Sequence, residues 1–271
     1  MSDVYFYIVA YLALIAGVAS HILLLRGERP LLERLAFWSG WIALSGTVIG
    51  LLVRGVQLGH WPLMADFEFA LALIAAVLVF HLLLERRAKG REGLVSLFLA
   101  LALATYFLWL APATDRAVGT PMPFLRGPWF VLHTLTAALG YGAFVVAGGM
   151  GLAYLAKAWI PALAWLPELE DLDTASARAV RLGFPAMTLG IVTGGLWALA
   201  TWAIFWAWDP KETWTLVVWL IYLFYLHARP LPRWAGKGTA IIAALGLAAV
   251  LFVFLGTRWL VRGEVAVGSV M

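Results

Sequence analysis

The chain has 271 residues and a formal charge of +4; 63% of it is hydrophobic, 14% aromatic and only 13% charged, with a mean hydropathy of +0.91. Soluble domains carry ~25% charged residues, so a water-soluble globule of this composition could not cover itself with polar side chains, and disorder, which needs low hydrophobicity, is excluded with it. There is no cysteine, which removes disulfides, thiolate nucleophiles and iron–sulfur clusters; what remains is an all-α, polytopic helical bundle in a lipid bilayer.

The opening MSDVYFYIVAYLALIAG has no basic leader and no small-residue cleavage site. It reads as a first span, not a cleaved signal. Apolar runs of ~17–25 residues predict eight spans, near 4–25, 35–53, 68–84, 94–111, 129–156, 182–204, 214–227 and 239–257. Alternate loops differ sharply in charge. Those holding Arg26, Arg29 and Arg34, then Arg86, Arg87, Lys89 and Arg91, then Lys157, Arg178 and Arg181, then Arg229, Arg233 and Lys237 carry 13 basic residues; the other set carries 6. The positive-inside rule puts the first set in the cytoplasm and both termini outside. The basic balance therefore reflects topology, and no nucleic-acid partner is expected. The whole of 1–271 reads as one membrane domain in the cell's inner (plasma) membrane. Its longest cytoplasmic connection, 157–181, is either a plain connector or a surface helix, since LPELEDLDTASARAVR starts acidic and ends basic.

The most unusual segment is WALATWAIFWAWDPKETWTLVVW, residues 197–219, which holds six of the 15 tryptophans: Trp197, Trp202, Trp206, Trp208, Trp214 and Trp219. Two readings stand. Indoles favour the headgroup level, so these residues suit an interfacial belt. Yet they crowd one short outer turn around Asp209-Pro210-Lys211-Glu212, where a turn that folds them together could make an apolar shelf for a planar macrocycle. Pro210 suits the first turn of a new helix. Asp209 is placed to cap that helix, with Glu212 three residues on to close a capping box.

Trp-Ala-Trp-Asp-Pro-Lys-Glu-Thr-Trp, followed by Trp219 and by Tyr225-Leu226-His227-Ala228-Arg229, resembles the tryptophan-rich (WWD) signature of heme-handling cytochrome c assembly proteins. The DPKETW form resembles the CcsA (ResC) branch more than the CcmC or CcmF branches. GHWPLMADFEF at 59–69, LHTLTAALGYGAF at 132–144 and LPELEDLD…GFPAMTLGIVTGGLWA at 166–198 agree with it.

A neutral histidine offers a ring nitrogen to heme iron. His133 lies near the outer end of the fifth span, at the predicted depth of the tryptophan loop, and His60 is in the first external loop. His21, His81 and His227 lie near the cytoplasmic ends of their spans. His227 follows Trp208 by 19 residues, about 28 Å of helix, close to the ~30 Å hydrocarbon thickness. One heme cannot touch both, so if both bind there are two sites.

The resemblance implies the same division. In the CcsA type, heme b passes from an inner site to an outer one under the WWD loop, where it meets the CXXCH motif of apocytochrome c for thioether formation. His133 matches the first external iron ligand. His227 matches the inner-site ligand, whose partner is supplied by a CcsB (ResB) type membrane subunit. Trp202, Trp206, Trp208, Asp209 and Trp214 are the expected cofactor-binding loop. The family's second external histidine follows the last span, whereas GTRWLVRGEVAVGSVM here has none. His60 is the other histidine on that side and either substitutes for it or is an ordinary loop residue. His133 and His227 each have a structural alternative, as a helix-pairing or helix-terminal histidine. His21 and His81 read as packing residues and Glu68 as the cap of the third span. Arg54 and Arg126 read as interfacial anchors, with heme propionates as the alternative partner. A second function is open: a HemX-like membrane regulator of heme synthesis shares the DPKETW region.

Overall fold

The computed structural model describes residues 3–27, 29–85, 93–110, 125 and 127–256. Its main elements are all helices: α1 Asp3–Leu24, α2 Pro30–Leu58, α3 Asp66–Glu85, α4 Gly93–Thr105, α5 Pro128–Trp159, α6 Leu169–Trp202, α7 Pro210–Ala228 and α8 Lys237–Leu251. α4 runs on into a π turn, Tyr106–Leu110, and α8 into another, Phe252–Gly256. α1, α2, α3, α5, α6 and the segment Lys237–Gly256 are long and apolar enough to cross a membrane. The apolar stretch Gly93–Trp109 is shorter, and α7 opens with Lys211 and Glu212.

Helices that are apolar on every side must keep their backbone groups satisfied internally. Side-chain hydroxyls follow the same rule by bonding back one turn: Thr47 to Ala43, Thr134 to Phe130 and Thr193 to Leu189, at 2.7–2.8 Å. Prolines open α2, α5 and α7, where a missing N–H costs nothing.

The clearest departure from the sequence reading is α6. The 169–181 stretch is helical, but it is no separate surface element. It continues without a break into the sixth span, making one helix of 34 residues. Its acidic start, Glu170 and Asp171, sits in the first turn, where the helix dipole favours it.

α5 is central, packing against α3, α4, α6 and α8, and its contact with α6 is the most extensive in the bundle. Small residues set that spacing. A side chain at Gly183 would collide with Ala143, one at Gly140 would stand 2.8 Å from the Met187 backbone, and one at Gly190 would stand 3.1 Å from the Ala137 nitrogen. Between helices in lipid, such close approach replaces the hydrophobic effect as the source of packing energy.

Polar clamps hold the two ends. At one, Arg54 Nε donates to Glu68 Oε1 at 2.9 Å and its guanidinium lies 3.5 Å from Asp3. At the other, Arg229 donates two hydrogen bonds to Asp173, at 2.8 and 2.7 Å, and Thr239 adds a third at 3.0 Å. That pairing raises the Arg229 guanidinium above its ordinary value. It fixes the end of α7 to α6 and α8.

Candidate functional site

The site starts from the α5–α6 spacing. Because Gly190 lets the helices close up, His133 of α5 reaches across to α6, and its Nδ1 lies 2.8 Å from the Gly190 carbonyl oxygen. A carbonyl only accepts, so Nδ1 carries the proton and Nε2 presents a lone pair. Gly194, one turn further along α6, leaves room for the ring: a Cβ there would sit 2.6 Å from Nδ1. The imidazole lies parallel to the Trp197 indole, 6° apart in plane with centroids 6.2 Å apart. A glycine, a carbonyl and an indole, all from α6, thus set the tautomer and orientation of one α5 histidine. A metal-ligating imidazole has the same outer support.

The loop that follows α6 is held by its backbone. Ala203 closes the helix at φ 57° and Trp208 turns the chain again at φ 59°, a left-handed conformation that is costly for a bulky residue. Asp209 caps α7, accepting the Glu212 N–H at 2.8 Å. The return half of the expected capping box goes elsewhere. The Glu212 carboxylate accepts the N–H of Ala207 at 2.8 Å, two residues before the predicted partner, because the turn at Trp208 brings Ala207 over the helix start. Thr213 adds a bond to the Trp208 carbonyl at 3.2 Å.

The tryptophans divide into three groups. Trp202 packs edge-on against Trp197 at 4.8 Å, and Trp206 edge-on against Trp208 at 5.9 Å. Trp214 lies against Phe252 at 4.3 Å, while Trp219 donates to Thr188 at 2.9 Å and stacks on Phe184. Steep angles of 70° and 81° within the first two pairs make a faceted apolar surface, not one flat shelf. Trp206 has its Nε1 buried without a hydrogen-bond partner. Trp208, in contrast, is 68% exposed.

The remaining predicted residues are dispersed. His60 is half-buried in the turn between α2 and α3, with Nδ1 2.9 Å from the Trp61 carbonyl. His227 is exposed near the last turn of α7, its Nδ1 2.8 Å from the Leu223 carbonyl. The 19 residues of α7 span ~28 Å, so His227 and the tryptophan loop lie at opposite ends of it. Arg126, and residues 257–271 where the family's tail histidine would fall, lie outside the described residues.

Arg54 is engaged within the bundle: Glu68 and Asp3 hold it, and its guanidinium lies 5.4 Å over the Phe67 ring. Glu68 does cap α3, accepting from Met64 N at 2.8 Å and Ala65 N at 3.1 Å. His21 and His81 are packing residues, fully buried, sharing Glu85 at 3.8 and 3.2 Å. Gly190 and Gly194 were not foreseen in sequence. Their only signal is a four-residue spacing in GIVTGG, which many membrane helices share.

Residues 64–264 match the family model described as Cytochrome C assembly protein. The chain belongs to the cytochrome c assembly protein family. Among its relatives, the cytochrome c biogenesis protein CcsA of Gloeobacter violaceus is 30% identical, covering 94% of this chain and 92% of its own. That of Trieres chinensis is 31% identical, covering 78% of each. The solved structure titled Cytochrome c Heme Lyase CcmF superposes with a TM-score of 0.65 at 20% identity. That likeness covers 93% of this chain but only 46% of the larger one, and it shows a common fold. The CcsA-type resemblance read from the tryptophan segment is therefore that of a true relative.

Proposed function

We propose that this protein is the heme-handling subunit of a cytochrome c synthetase, holding heme b at the external face of the inner (plasma) membrane and presenting it to apocytochrome c. The carrying observation is His133, whose Nδ1 is committed to Gly190, which leaves Nε2 to bind iron beside the stacked indole of Trp197. Trp202, Trp206, Trp208 and Trp214 supply apolar surface around it, and Asp209 holds the turn that carries them.

The bond to be made is a thioether: a cysteine S–H of CXXCH adds across a heme vinyl group, sulfur to one carbon and hydrogen to the other. No net oxidant or reductant is needed. This chain has no cysteine, so the thiols belong to the substrate and the protein's contribution is placement. The exposed position of His227 at the far end of α7 fits an inner site completed by a CcsB (ResB) type subunit. In this reading the tryptophan loop and both termini are external.

Purified protein should show the Soret band of a histidine-ligated b heme, and His133→Ala should weaken or abolish its outer-site component. An unchanged spectrum in a folded His133→Ala protein removes the assignment.

A further inference from the structure

Between the end of α2 and the start of α3 an open cleft of about 530 Å³ is lined by Leu52, Val56, His60, Trp61 and Met64, among others. That volume falls within the ~300–1,000 Å³ of small-molecule sites. Its wall is built, not slack. Gly59 ends α2 at φ 68°, and Leu63, buried, donates its N–H to the Trp61 carbonyl at 2.9 Å. The wholly buried Glu68 then ties down the N–H groups of Met64 and Ala65, while Arg54 holds its other oxygen.

Chemically the lining is apolar with one exception. His60 donates from Nδ1 to the Trp61 carbonyl, so its Nε2 carries the lone pair, the same tautomer as His133. Trp61, 57% exposed, adds a flat indole, and Met64 a soft thioether. Met64 also packs into the cluster that contains Leu63, Phe130 and Trp197, and Trp197 is the indole stacked on His133. The cleft and the His133 site are therefore joined by continuous apolar packing. A lipid acyl chain would leave the His60 lone pair unused; a metalloporphyrin uses the lone pair, the indole and the apolar walls together.

We propose that this cleft is a seat for heme, with His60 Nε2 as an axial ligand, adjoining the His133 site. The inference rests on the heme-handling reading above.

The test is heme titration of the purified, detergent-solubilised full chain, followed by its Soret and visible spectra. Replacement His60→Ala should remove one histidine-ligated component and weaken uptake there roughly tenfold or more, and added imidazole should restore that component. Val56→Trp fills the cleft from an exposed position (Val56 is 84% exposed) and should reduce the same component while every histidine stays in place. Wild-type protein that takes up no heme would defeat the heme-handling reading itself. Wild-type uptake that neither variant alters, or a co-purified phospholipid lost from Val56→Trp while its heme binding is unchanged, would overturn the cleft assignment alone.

Discussion

His133 shows how a histidine's surroundings set the state of its ring. An isolated imidazole exchanges its proton between two nitrogens; a fixed carbonyl acceptor ends that exchange. The carbonyl comes from Gly190, held inside helix α6 and 2.8 Å from the His133 Nδ1. Gly194→Val should push the ring off this position, since even a Cβ would stand 2.6 Å from Nδ1. The expected outcome is loss of the His133-dependent Soret component with the far-ultraviolet helix signal unchanged. Asp209→Ala removes a cap bond of 2.8 Å and should cost about 1 kcal/mol, measurable as a lowered unfolding midpoint in detergent. Asp209→Asn, which keeps an acceptor oxygen, should largely restore it.

Helix pairs and the turn after α6 control whether these residues meet. The α5–α6 seam rests on Gly140, Ala143, Gly183 and Gly190, where backbones touch. A bulky residue at Gly183 has nowhere to go, and overpacking of this kind costs about 1–3 kcal/mol. Gly183→Leu should therefore lower thermal stability and shift the His133 spectrum together, because the same spacing serves both. Within the turn, the Ala207 N–H donates to the Glu212 carboxylate and the Thr213 hydroxyl to the Trp208 carbonyl. Replacing Trp206 and Trp208 together by Ala should reduce heme retention, read as heme per protein after size exclusion, while membrane insertion stays normal. Normal retention in that double variant would remove the loop from the binding surface.

For the molecule as a whole, the alternation of loop charge predicts one orientation, and the absence of native cysteine makes it directly testable. A cysteine introduced at Ala207 should react with a membrane-impermeant maleimide from outside intact cells. One introduced at Ala235, near Arg233 and Lys237, should react only after permeabilisation. The reverse pattern would invert the topology and place the tryptophan loop in the cytoplasm. Each end also has its own clamp, Arg54–Glu68 at one and Asp173–Arg229 at the other, so a defect at one need not reach the other.

Hydropathy alone determined the eight helices and the membrane class, because lipid leaves a chain few ways to satisfy its backbone. The tryptophan segment carried the family, and the loop's acidic cap was legible because Asp-Pro at a helix start is a local signal. Tertiary structure decided what periodicity cannot express. The merging of 169–181 into α6 depends on what packs beside it, the diversion of Glu212 to Ala207 on a positive φ at Trp208, and the engagement of Arg54 on carboxylates 14 and 51 residues away. His133 belongs to this second group. Its residue type and depth could be read in order along the chain, but its tautomer is set by a carbonyl 57 residues distant, and a hydrogen bond across two helices exists only once they have packed.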